Sequence, residues 1–380
     1  MPDQPAPAMT AAAVAAADDA FGADLYRMLS EQAPDTVFSP VSVASVLQMA
    51  LCGARGQTAA ELAGALHLDG SPDTAAEALR TVSAVVSDVT AGGTVTFRAP
   101  ATVWVQSGLP LRPDFTARLG QAVTEADFAS APQQARAQIN RVIAEQTEQK
   151  ITGLLPASAV DDRTRLILTS AIYLKAGWAQ TFPERATADA PFYPDGPDRP
   201  SRTVRMMNGT AARMYVRGDG YQAVVLPYRG GSLAMAVVLP DGPLAALSPA
   251  LADGGVRGLL AGTARYQVTL ALPRFRLETA FGLISILQRL GVRQAFTDGA
   301  DFTGITGAAR LLINAIAHKA YIDVDEQGTE AAAATAVSFR PSSVFRAPEP
   351  VTMTVDRPFL FAIVHGPTGL PLFLGQVSHP

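Results

Sequence analysis

EQGTEAAAATAVSFRPSSVFRAPEP, residues 326 to 350, separates two segments patterned as β-strands. Upstream, Ala320, Ile322 and Val324 alternate with Tyr321, Asp323 and Asp325; downstream, Val351 to Val364 is rich in β-branched and aromatic residues. A connection this long is rare inside a compact domain, so its composition decides what it is. From Thr329 on, alternate residues (Thr329, Ala331, Ala333, Thr335, Val337, Phe339) are uncharged. The intervening set carries Glu330 and Arg340 at its ends and only small residues between. Side chains alternate faces along a strand, so the loop is written as a strand with one buriable face, small enough to slip between two existing strands. Pro341 lacks a ladder donor and marks where such pairing stops. The bland alternative is a flexible Ala-rich linker.

Working outward, 380 residues at 48% hydrophobic and 17% charged are enough to bury a large core. No low-complexity break divides them, so 1–380 reads as one domain carrying the loop 326–350. A net charge of -4 gives no whole-chain basic signature for nucleic acid or an anionic membrane, and neither is expected as a partner. There is no Lys or Arg before Arg27, and the run Ala11 to Ala17 ends at Asp18 and Asp19, which does not make a signal peptide. The expectation is a cytoplasmic protein as the sequence stands, extracellular if an export signal was removed. Cys52, the only cysteine, excludes an internal disulfide and sits in the apolar run VLQMALC as a buried small hydrophobe. Three Lys among thirty basic residues is the bias of GC-rich coding and points to a bacterial source.

Helices come first. Phe21, Leu25 and Met28 give a stripe over 11–30, and Ser39-Pro40 caps a buried helix over 41–52. Further helices are expected over 58–68, 73–86, 113–119 and 133–149. Strands are expected over 94–106, 165–174, 203–207, 224–228, 233–239, 266–277 and 311–325, with short helices at 244–251, 255–261 and 281–290. Tyr215 reads as a separate strand position. The order, helices early and sheets late, is an α+β pattern.

Catalytic chemistry is scarce. No GxSxG elbow, Walker loop, HExxH or Cys/His metal spacing occurs, and the four His lie apart in the sequence. The expectation is therefore no enzyme, no metal and no cofactor. GADFTGITG, 299 to 307, lacks the lysine of a phosphate loop, and Asn208-Gly209-Thr210 is a glycosylation sequon by pattern only.

EQGTEAAAATA resembles the hinge of the reactive loop of inhibitory serpins, the serine protease inhibitors. So do FSPVSVASVLQMALCGARGQTAAEL at 38 to 62, INRVIAEQTEQKITGLLP at 139 to 156, AIYLKAGWAQTF at 171 to 182, VRMMN at 204 to 208, LPRF at 272 to 275 and AIAHKAYIDVDEQGTEAAAA at 315 to 334. VDRPFLFAI at 355 to 363 and the terminal GLPLFLGQVSHP complete the series. The resemblance implies a serpin fold: a large mixed central sheet, further sheets, about nine helices and an exposed reactive loop. It implies a monomeric suicide-substrate inhibitor whose cut loop inserts into the main sheet. The hinge would be Glu326, Gly328, Thr329, Glu330 and Ala331, Ala332, Ala333, Ala334. Trp178, Arg274 and Glu326 match the breach, where insertion begins. Ser39, Ser42, Ser170 and His318 match the shutter, with Ser170 standing where the family usually has Asn, so the cluster is expected to be weaker or completed by a water.

Two rulers disagree on the reactive bond. The family's spacing from the hinge acid puts it between Ser342 and Ser343, which suits an elastase-like or subtilisin-like protease. Counting back from Asp356-Arg357-Pro358-Phe359 points instead to Arg346 and Ala347, which suits a trypsin-like one. The strand length that carries the protease decides for the first. The competing reading of the whole chain is a non-inhibitory serpin acting as a binding or chaperone-like protein; small hinge residues argue against it.

Overall fold

The computed structural model of the chain describes residues 9–196, 198–330 and 350–380. The hinge alanines Ala331 to Ala334 and both candidate bonds, Ser342–Ser343 and Arg346–Ala347, lie outside the described residues.

Helix α1 (Ala11–Ser30) begins where Thr10 accepts a hydrogen bond from the Ala13 N–H. After strand β1 (Thr36–Phe38), α2 (Pro40–Gly53) starts as its sequence dictates. Ser39 Oγ accepts from the Ser42 N–H, and Pro40 fills the first helical position, where a missing donor is harmless. Every residue of α2 is buried. There follow α3 (Gly56–Ala65), α4 (Pro72–Ala91), β2 (Val95–Arg98), β3 (Ala101–Gln106), α5 (Pro113–Leu119), β4 (Val123–Ala126) and α6 (Pro132–Gln146). The strand expected over 94–106 is two, because Pro100 cannot donate to a continuous ladder.

Strands then dominate: β5 (Leu166–Gly177), β6 (Ala188–Phe192), β7 (Arg202–Gly218), β8 (Tyr221–Pro227) and β9 (Leu233–Pro240). The two strand segments expected around 203–215 form the single β7. Its polar middle is held by Arg213, whose buried guanidinium donates to the carbonyls of Gly209 and Val268 over the Phe182 ring. Next come α7 (Ser248–Leu259), β10 (Ala264–Pro273), β11 (Phe275–Gly282), α8 (Ile284–Arg289), β12 (Ala315–Val324), β13 (Gly328–Thr329), β14 (Val351–Thr354), β15 (Phe359–His365) and β16 (Leu370–Val377). The strand expected over 266–277 is two, parted at Arg274, whose N–H turns to the Arg205 carbonyl. Among the described residues there are eight α-helices where about nine are expected, since α7 runs across a kink at Gly255 (φ 60°) that joins two expected helices.

The strands build two sheets. One has nine strands in the order β1-β16-β15-β9-β8-β7-β10-β14, with β6 on β7; the other has seven, in the order β11-β12-β13-β5-β3-β4, with β2 also on β5. Ile172, Leu174, Ile322 and Val324 of the smaller sheet share a core with Val237, Phe361 and Phe373 of the larger. The opposite face of the smaller sheet is covered by α6 through Ile139 and Ile143, packed with Trp104, Tyr173 and Tyr321. With both faces covered, β5 reads as an unbroken apolar run, as twice-buried strands do.

Candidate functional site: the seam between β5 and β12

β5 and β12 are parallel neighbours from Ala315↔Ile167 to Tyr321↔Tyr173. Above that they part, and β13 fills the gap. Thr329 pairs with Ala176 on one side and Val324 on the other, both antiparallel, and Gly328 pairs with Gly177. The loop read as exposed thus begins inside the sheet, with Gly328 and Thr329 buried. Glycine is required at 328 because a Cβ there would lie 2.1 Å from the Ala176 carbonyl oxygen.

At the top of this gap the structure brings Arg274 and Glu326 together. Arg274 donates through Nε at 2.8 Å and approaches through Nη2 at 2.6 Å, both to Glu326 Oε1, which also accepts from the Thr187 hydroxyl. Burial alone would raise the Glu326 carboxyl, which is only 2% exposed; the bonds from Arg274 and Thr187 outweigh it and hold the group below its ordinary value. The Trp178 indole donates to the Asp325 carbonyl at 2.9 Å and stacks on Tyr228 with ring centroids 4.5 Å apart. Its backbone N–H donates to the Gln327 carbonyl. The Tyr228 hydroxyl lies 2.6 Å from the Thr329 hydroxyl, deep in the protein. Asp325 Oδ1 closes the turn by accepting from the N–H groups of Gln327 and Gly328.

Lower on the same seam, His318 and Ser170 are register partners. The Ser39 N–H donates to His318 Nε2 at 3.0 Å, and a backbone amide can only donate, so Nε2 is the acceptor and Nδ1 carries the proton. That proton goes to Ser170 Oγ at 2.8 Å, so the serine that stands in place of Asn reaches the ring directly. Burial pushes His318 down to about 3, so the ring stays neutral. Ser42 ties the cluster to β5 by donating to the Ala171 carbonyl at 3.4 Å.

The chain's other candidates have structural partners. Cys52 is buried and pushed up to about 11, chiefly by burial. His67, His365 and His379 lie against Asp24, Asp88 and Asp35. The Asn208 amide of the sequon donates to the carbonyls of Ala186 and Met206. Among the described residues no cluster of His, Cys, Asp and Glu could hold a metal ion, and no helix is long and apolar enough to cross a membrane. Sequence reading missed Tyr228 and Thr187. The only signal for Tyr228 is an aromatic residue directly before the turn Arg229-Gly230-Gly231.

A sheet parted at its top by the start of a long loop, over a buried His–Ser seam, defines a class of protein, and the comparisons agree. Residues 16–380 match the family model for serpin, serine protease inhibitor. The chain is 35% identical over 395 residues to the leukocyte elastase inhibitor of Sus scrofa, covering 97% of this chain and 99% of that one. It is 34% identical over 369 residues to a serpin-like protein of Thermococcus kodakarensis, covering 95% and 84%. The crystal structure of Serpin48 of Tenebrio molitor superposes with a TM-score of 0.85 at 27% identity, over 97% of this chain and 98% of that one. The chain belongs to the serpin family.

Proposed function

We propose that this serpin is an irreversible suicide-substrate inhibitor of serine proteases, and not itself an enzyme. The observation that carries the reading is β13: the first residues of the loop already pair as an antiparallel strand between two strands that are parallel neighbours below it. The remainder of the loop has the alternation to continue that strand.

In this reading a protease's serine attacks the Ser342 carbonyl. The peptide bond to Ser343 breaks, its nitrogen leaves as a new amine, and Ser342 stays on the protease as an ester. Insertion then competes with hydrolysis of that ester. Twelve inserted residues at ~3.3 Å each span ~40 Å, enough to drag the acylated protease across the domain. The protein acts as a monomer. Ser342 fits an elastase-like or subtilisin-like pocket, in keeping with relatives named leukocyte elastase inhibitors; cutting at Arg346–Ala347 would imply a trypsin-like target.

Incubation with a panel of serine proteases tests this. The expected result is a band at the summed mass that survives boiling in detergent; only cleaved fragments with every protease would overturn the reading. Mass spectrometry of the released C-terminal fragment should find Ser343 at its N-terminus, and Ala347 there would move both the bond and the protease class.

A further inference from the structure

Among the described residues, β13 ends at Thr329. Beyond Thr329 the ladder could continue: the register Val324↔Thr329↔Ala176 would place Glu330 between Asp323 and Lys175. Glu330 keeps the bond to the Asp323 side of that register but takes φ +50°, a left-handed conformation that is uncommon for a non-glycine residue and that no strand continues through. Its N–H is held by the Asp323 carbonyl at 2.9 Å. Its side chain, although at the mouth of a long loop, is only 12% exposed, because its carboxylate forms an ion pair with Lys150.

Lys150 belongs to the connection that follows α6 and crosses the seam, where Gln149 also has a positive φ. Its ammonium lies 5.7 Å from the Tyr321 ring centroid, and Arg276 lies 5.1 Å from the same ring. Tyr321 and Tyr173 are the last parallel pair of β12 and β5, the first that a longer insertion must part. Burial, and then the neighbouring Glu330 carboxylate, push the Tyr173 hydroxyl up, so the anion sits against that pair.

We propose that Lys150, on the tyrosine pair Tyr173–Tyr321, is a positioning residue for the trapping reaction: it latches Glu330 and so fixes how much of the loop is inserted before any protease arrives. The inference rests on the inhibitor reading for its consequence but not for its geometry. While the latch is closed, Gly328 and Thr329 stay in the sheet. When it opens, the hinge leaves the gap, the loop reaches a protease more freely, and more strand must be inserted after cleavage. Acylation should then speed up while trapping becomes less efficient, a split that a loss of general stability would not produce.

The test has two arms. In the protein alone, Lys150→Met should speed amide hydrogen exchange at Trp178 and Glu330, whose N–H groups bond Gln327 and Asp323, by about fivefold, as expected for a half-exposed ion pair. Lys150→Arg should restore it. Unchanged exchange in Lys150→Met, or no rescue by arginine, overturns the latch whether or not any protease is inhibited. With a protease that the wild type inhibits, Lys150→Met should raise both the association rate and the number of inhibitor molecules consumed per protease. An exchange effect without that paired change would leave a hinge clamp but overturn its role in trapping. Failure to inhibit any protease would remove the reading beneath it and leave the exchange result standing.

Discussion

Thr329 shows what a single side chain commits the molecule to. It is fully buried, and its hydroxyl meets that of Tyr228, itself stacked on Trp178. A guanidinium there would be desolvated without an acidic partner. Thr329→Arg should therefore turn inhibitor into substrate, with severalfold more molecules consumed per protease; an unchanged stoichiometry on titration would show that the position does not have to be buried. The alternation from Thr329 onward is legible in the sequence because period two needs only local information. Asp18 is not legible in that way, since it is a charge on an otherwise apolar helical stripe. It is buried, and Oδ2 has no hydrogen-bond partner; neighbouring Asp19 accepts from the N–H groups of Val256 and Arg257. Burial, and then the Asp19 charge, push Asp18 up to about 8. The folded state thus keeps a proton that the unfolded chain releases near pH 4. Stability from this group is full at acid pH and is lost as pH rises from about 4 through about 8, at up to ~1.4 kcal/mol per pH unit. Asp18→Asn should flatten that slope: between pH 5 and pH 8 the unfolding temperature of the wild type should fall more than the variant's in thermal scans, and parallel curves would count against the buried proton.

The seam between β5 and β12 is where elements divide the work. Its lower part is locked by a neutral imidazole that accepts from one backbone N–H and donates to one hydroxyl; its upper part is already open. Ser170→Ala would leave the His318 Nδ1–H buried without an acceptor, a penalty of ~1–3 kcal/mol. The unfolding midpoint in denaturant should drop accordingly, whereas Ser170→Asn, which supplies an acceptor, should keep most of the stability; equal losses in the two variants would show that size, not the hydrogen bond, matters. The start of β5 and the end of β12 were readable to within a residue, whereas β5 runs three residues past the expected Leu174 and β12 begins four after the expected Leu311. That β13 already exists in the uncut chain was not readable, because two residues carry no periodicity and their pairing needs β5, about 150 residues away at Ala176, to stand apart from β12 at Val324. The break at Arg274 was missed because an apolar run does not say that β10 will join one sheet and β11 the other; the break at Pro100 leaves both halves, β2 and β3, on β5.

For the whole molecule the question is whether the fold described here is its most stable one. β5 and β12 share a single parallel ladder of seven residue pairs, from Ala315↔Ile167 to Tyr321↔Tyr173. Inserting residues 330 to 340 would break that ladder and replace it with two antiparallel ones, each at least as long, while burying the uncharged face of the loop. More backbone hydrogen bonds would form than are lost, and the antiparallel geometry is the stronger per residue. In the proposed mechanism connectivity would prevent it in the intact chain, because the loop is tied at its far end to β14, which is held parallel to β10 from Val351↔Val268 onward. The intact form is thus expected to be held by a barrier rather than by equilibrium, and one cut in the loop removes the tether. After a clean nick between Ser338 and Ala347 the apparent unfolding temperature should rise sharply, with the two fragments migrating together until denatured. The scan should be repeated at two heating rates, because kinetic control makes the intact protein's transition rate-dependent. A nicked protein that melts at or below the intact one would mean that the gap filled by β13 closes at Thr329 and goes no further.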